Sequence, residues 1–140
     1  MANRFYPNGL TAVLNGTIDL DTDDIRAIGV NSTYTFAESD NDLADIIESE
    51  RATGKMTSAI SGLALSTVAT DDIMYDTAST ISLPAKASQT MVAIVYYLHN
   101  ATEGNATLLF HKDRTSSVTA DGGVDVTVNA NGVCRFTNPA

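Results

Sequence analysis

The chain has 140 residues, the length of one domain, and sets eight Lys and Arg against seventeen Asp and Glu, for a formal net charge of −9. So few and scattered cations make neither a phosphate-binding face nor a polybasic cluster, so neither nucleic acid nor a membrane is expected as a partner. No apolar run reaches the length of a bilayer span, the opening MANRFYPNGLTAVLNG lacks the apolar core of a secretory signal, and the lone Cys134 supports neither an internal disulfide nor a metal framework. The expectation is one soluble, acidic domain over 1–140, without a cofactor.

Hydrophobic residues make up 44% of the chain and charged residues only 18%, with 29 Ser and Thr and ten Asn filling the difference. Thr is β-branched and Asn accepts turn dihedrals, so this bias favours strands and turns. In chain order, Gly9 to Asn15 predicts a short helix with Leu10, Val13 and Leu14 on one face and Gly16 closing it. Thr17 to Asp24 alternates Ile18 and Leu20 with aspartates, as on a solvated strand or ahead of a cap, and Ile25 to Val30 is an apolar run of strand length. Asn41 to Arg51 predicts a second helix, capped by Asn or Asp, with Leu43, Ile46 and Ile47 as its buried stripe.

From Thr53 onward the pattern is β. Met56, Ser58, Ile60 and Gly62 begin a period-2 segment that Leu63 to Val68 continues. Ile73 to Tyr75 and Thr80 to Leu83 follow, with Pro84 as a stop. Thr90 to Leu98 (TMVAIVYYL) is a continuous β-branched and aromatic run, the signature of a central strand covered on both faces. Thr107 to His111 is expected to pair with it across Asn100 to Asn105, and Thr115 to Gly123 reads as a flexible loop. Val124 to Val128 and Val133 to Phe136 flank Asn131-Gly132, a hairpin signal. The expected fold is mainly β, a sandwich or small barrel-like domain with one or two short helices in the N-terminal third.

Candidate chemistry is sparse. A calcium loop started at Asp19 would need Gly at its sixth position and Glu at its twelfth, where this chain has Asp24 and Val30. No metal is therefore expected. His99, His111 and Cys134 would have to converge with a carboxylate to form a nucleophilic centre. Nothing in their spacing indicates that they do, so no catalytic residue is assigned and no enzyme is expected. Asp71-Asp72 and Asp40-Asn41-Asp42 read as solvated acidic pairs beside turns. Four Asn-X-Thr sequons, at Asn15, Asn31, Asn100 and Asn105, are a mild excess over chance and no evidence of glycosylation.

The opening RFYPNGLTAVLNGTIDLDTDDIRAIGV resembles a family of small tailed-bacteriophage virion proteins. Their N-termini run from an aromatic through a short amphipathic helix into an I-D-(L/W)-D-(T/S)-D-x-I-(K/R)-(A/V) pattern. Phe5, Tyr6, Leu10, Leu14, Gly16, Ile18, Asp19, Leu20, Asp21, Asp23, Ile25, Arg26 and Ala27 carry that pattern here. Asp42 to Lys55, Val92 to Tyr97 and a closing hairpin over Val124 to Phe136 resemble later family segments in the same order. Leu98-His99-Asn100 departs from the family's acidic strand end, and Lys112 to Asp121 is unusually polar. The resemblance implies a capsid decoration, or cement, protein on the outer surface of the virion. It would bind the major capsid protein, most simply as a homotrimer on a local threefold axis. A tail, neck or fibre component is the alternative. Arg4, Phe5 and Tyr6, within the terminal segment 1–7, are the expected partner interface, because two aromatics ahead of Pro7 suit docking. The competing expectation is that they pack on their own domain.

Overall fold

A computed structural model describes residues 3–69, 72–77, 80–128 and 133–137. The order of elements is β1 (Asn3–Phe5), α1 (Pro7–Leu14), β2 (Ile25–Val30), β3 (Leu63–Ala69), β4 (Asp72–Thr77), β5 (Ile81–Leu83), β6 (Thr90–Leu98), β7 (Leu108–Thr119), β8 (Val124–Val126) and β9 (Cys134–Thr137). The strands form a four-stranded antiparallel sheet in the order β1-β7-β6-β2, a three-stranded sheet β3-β4-β9 and a ribbon β5-β8. The fold is thus mainly β, as the composition indicates. The sheets do not close into a barrel, which removes that alternative.

Strand β6 sits at the centre of the four-stranded sheet, and alternation sends its side chains into two separate cores. On one face lie Ile94 and Tyr96 with Ala27 and Phe110, joined by Tyr75 of β4 and by Ile81, Leu83 and Val124 of the ribbon. On the other lie Ala93, Val95 and Tyr97 with Ile28, Val30, Tyr6, Tyr34, Leu43, Ile46 and Leu108. A continuous apolar run is what a strand buried on both sides requires. A register shift opposite Tyr96 and Tyr97 makes Leu109 the extra residue, so that Leu109 and Phe110 both enter the first core.

Helix α1 starts at Pro7, two residues before the expected Gly9, because a proline without an N–H suits the first helical turn. Gly9 is where the helix meets β7, since an added Cβ would lie 2.0 Å from Leu108 O. Gly16, at φ 75°, closes the helix in the left-handed region.

Five expectations are corrected. Asn41 to Arg51 is not a helix: a single 3-10 turn, Leu43–Asp45, forms under a capping box of Asp42 and Asp45, and Ile46 is already extended. Arg51 explains the stop. Its guanidinium, on a residue only 5% exposed, donates to Leu43 O and Ile46 O (both 2.8 Å), carbonyls that a continuing helix would use itself. Met56 to Gly62 makes no strand; it straps the outer edge of β2, where Ile60 N donates to Ile25 O and Arg26 Nη1 to Met56 O. Thr17 to Asp24 is a turn-rich loop rather than a strand. Thr115 to Thr119, expected as loop, extends β7, pairing Thr119 with Thr90 and Val118 with Met91. Finally, β8 and β9 are not hairpin partners. Val124 and Val126 pair with Leu83 and Ile81, while Cys134 and Phe136 pair with Tyr75 and Ile73, in a different sheet. Asn129 to Gly132 lies outside the described residues.

Candidate functional site

Of the three residues expected at a partner interface, Arg4 and Phe5 stand on β1, paired with β7 through Arg4–His111 and Phe5–Phe110, and Tyr6 follows at the N-cap of α1. Phe5 faces the first core, edge-on to Phe110 at 5.8 Å between centroids. Tyr6 is fully buried in the second core, where its hydroxyl meets the Tyr34 hydroxyl at 2.7 Å, and Tyr34 in turn donates to Asp40 Oδ2 at 2.8 Å. Burial pushes both phenol pKa values up, so both remain neutral hydrogen-bonding groups. Of the three, Arg4 presents the most surface. Its guanidinium lies 4.5 Å from the centre of the Phe36 ring and 3.7 Å from Asp113, with the side chain 42% exposed. The segment therefore spends its aromatics on its own domain and offers a charge at the edge.

His111 lies beneath this edge strand. It is 4% exposed, flanked by Tyr34 and Phe36, and its Nδ1 makes no hydrogen bond, with Asp113 Oδ1 at 3.5 Å. Burial lowers its pKa, opposed by Asp113 and aided by Arg4. His99 ends β6 elsewhere, its backbone N–H donating to Asp24 O at 2.8 Å, and Cys134 sits opposite Tyr75 on β4. The two histidines and the cysteine thus stand at three different places in the chain fold: on β7, just past the end of β6, and on β9.

The aspartates after α1 organise a loop. Asp19 Oδ1 accepts from Asp21 N, Asp23 Oδ2 from Asp19 N, and Asp21 Oδ1 from Leu65 N at the start of the second sheet. Asp24 holds Arg26 through both Nε and Nη2, and the guanidinium keeps the Asp24 carboxyl below the usual range. Ile18 and Leu20 between these acids are buried, and Tyr75 from β4 donates to Leu20 O at 2.7 Å. Among the described residues, no group of three His, Cys, Asp or Glu is placed to hold a metal ion. Of the other acidic pairs, Asp40 and Asp42 hold the hydroxyl chain and the capping box, and Asp71 lies outside the described residues.

The sequons also have a structural job. Asn15, Asn31 and Asn100 each accept through Oδ1 from the backbone N–H of the threonine two residues on, closing a side-chain turn. Three of the four Asn-X-Thr sequons are thus such turns.

Sequence reasoning missed the ion cluster centred on Arg51. Besides its two carbonyls it donates to Glu103 (2.8 Å) and Glu48 (3.4 Å); Lys55 also pairs with Glu103, and Lys86 with Glu48. An arginine ending the acidic run ESER carries no local signal of burial. Among the described residues, the large apolar side chains Leu14, Ile47 and Leu65 are exposed, at 77%, 57% and 45%. No helix among the described residues is long and apolar enough to cross a membrane.

Searches against protein-family models, curated proteins and solved structures return no match.

Proposed function

We propose that this protein is a capsid decoration protein of a tailed bacteriophage, seated on the outer face of the major capsid protein lattice. The observation that carries the reading is the run from Phe5 to Ala27. Apart from the exposed Leu14, the residues through which it resembles the phage family lie where β1, α1, the aspartate loop and β2 join into one unit. Ile18, Leu20 and Ile25 fill the first core, Tyr6 fills the second, and Asp19, Asp21 and Asp23 hold the loop. A net charge of −9 suits an outer shell away from packaged DNA. Exposed Leu14, Ile47 and Leu65 are apolar surface that a neighbour on the lattice would cover. Such a protein acts by linkage: binding the assembled lattice and not its separated subunits stabilises the assembly by mass action.

The protein works as a homotrimer, the closed assembly that matches a local threefold axis. Within segment 1–7, Arg4 is the residue that meets the capsid, while Phe5 and Tyr6 hold the strand that presents it.

Quantitative mass spectrometry of purified particles tests this directly. A copy number comparable with that of the major capsid protein is expected. A few copies per particle would move the protein to the tail, neck or fibre, and its absence would end the virion reading.

A further inference from the structure

We propose that a polar cleft beside the β2–β6 end of the four-stranded sheet is a binding site for a carboxylate. The cleft has a volume of about 330 Å³, and its polar lining comprises Arg26, Lys55, Tyr97, His99, Asn100 and Glu103. The site stands apart from the N-terminal segment, and the inference does not depend on the capsid reading.

Tyr97 is the first observation. It is 1% exposed, it lines the cleft, and among the described residues no group hydrogen-bonds its hydroxyl. The hydroxyls of the buried Tyr6, Tyr34 and Tyr75 are all bonded within the protein. A buried phenol ordinarily finds a partner, so one opening on a cleft without any is a donor set toward a ligand. Burial raises its pKa, which keeps the proton on it through the neutral range.

Charge is the second observation. The charged groups that line the cleft are Arg26, Lys55 and Glu103, which leaves one positive charge on the lining in a chain of net −9. Arg26 is pinned by Asp24 and by Met56 O, so it is a fixed positive wall. Lys55, with its side chain 52% exposed, is the cation able to swing from Glu103 to an incoming anion. Among the described residues the His99 ring has no hydrogen-bond partner, and it supplies a further polar group on the same rim. One surplus charge matches a monoanion, and the apolar walls Leu43 and Met56 accommodate a short aliphatic stem. A carboxylate on such a stem occurs both in small organic acids and in the acidic side chains of proteins.

The test is an amide chemical-shift titration of the whole chain. One arm uses sodium butyrate and the other N-acetylglutamate methylamide, both monoanions, each against sodium chloride at matched ionic strength. Saturable shifts at Lys55, Tyr97, His99 and Asn100 are expected in at least one arm. Tyr97→Phe, which keeps the ring, is expected to weaken binding roughly tenfold, as does losing one hydrogen bond to a charged group. Lys55→Gln, an exposed position that leaves the core untouched, is expected to weaken it as well. Tighter binding of the capped glutamate identifies a partner's side chain as the source, and tighter binding of butyrate a free acid. Shifts no larger than those with chloride, or binding unchanged by both substitutions, overturn the proposal. Neither result bears on copy number in the virion, so the two readings fail separately.

Discussion

The two faces of the four-stranded sheet are built differently. The first is held by apolar and aromatic packing: Tyr96 stacks on Phe110 at 4.7 Å between centroids, Tyr75 meets the same ring edge-on at 6.0 Å, and two further strand groups supply aliphatics. The second combines apolar residues with a polar apparatus: the Tyr6–Tyr34–Asp40 chain, the enclosed His111, and Arg51 bonded to two carbonyls and Glu103. A face closed by other sheets needs only shape and burial. One covered by irregular chain, 31–51, must also satisfy the backbone groups that such chain leaves open, and it does so with buried side-chain donors.

That contrast can be broken from either side. Tyr96→Ala on the packed face removes a 1%-exposed aromatic from the centre of the first core and is expected to cost about 4 kcal/mol, read from the denaturant midpoint. An effect below about 1 kcal/mol would show that this face is loosely packed. Arg51→Met on the polar face preserves volume but strands Leu43 O and Ile46 O, and is expected to cost about 2 kcal/mol. Because Glu103 is partly exposed and keeps Lys55, the loss should stay below that of Tyr96→Ala. A variant as stable as the parent would mean that water serves these carbonyls equally well.

The smallest expected effect is the pH dependence, which separates the two polar groups. His111 is neutral in the fold with its pKa lowered by burial, so the unfolded chain takes up its proton first on acidification. Its contribution is therefore present above the ordinary histidine value of about 6.5 and is lost as pH falls from there toward the folded value. Glu103 is held at about 2 by Arg51 and Lys55, so its contribution is present above the ordinary glutamate range and is lost at lower pH. Melting temperature against pH should thus fall in two steps, and His111→Leu should remove the upper one alone. A single step in the parent chain would contradict this assignment.

Local pattern accounts for much of the first face. The run Thr90 to Leu98 has no polar interruption after Thr90 and must be buried on both sides, and Ile25 to Val30 and Ile81 to Leu83 carry their strand ends in Asp24 and Pro84. Pro7 and Gly16 bracket α1 by their own backbone limits. For the proposed cleft, nothing local distinguishes Tyr97 from Tyr96, adjacent aromatics on one strand. Alternation places them on opposite faces, and only one of those faces opens beside Arg26 and Lys55.

Elsewhere a distant partner overrode the local signal. Leu43, Ile46 and Ile47 have helical spacing, yet Arg51 takes the turn's carbonyls and Ile47 is left 57% exposed. Thr115 to Thr119 is polar enough for a loop, but β6 offers it an unpaired edge. Val124 to Phe136 looks like one hairpin, but β5 and β4 capture its halves separately, and Val133 N donates to Tyr75 O at 2.8 Å. Which segments are strands, and where a helix starts, rests on side-chain shape and backbone dihedrals that each residue carries with it. Which strands pair, and which polar residues are buried, depends on hydrogen-bonding groups and apolar surface supplied from tens of residues away, and no local period encodes those.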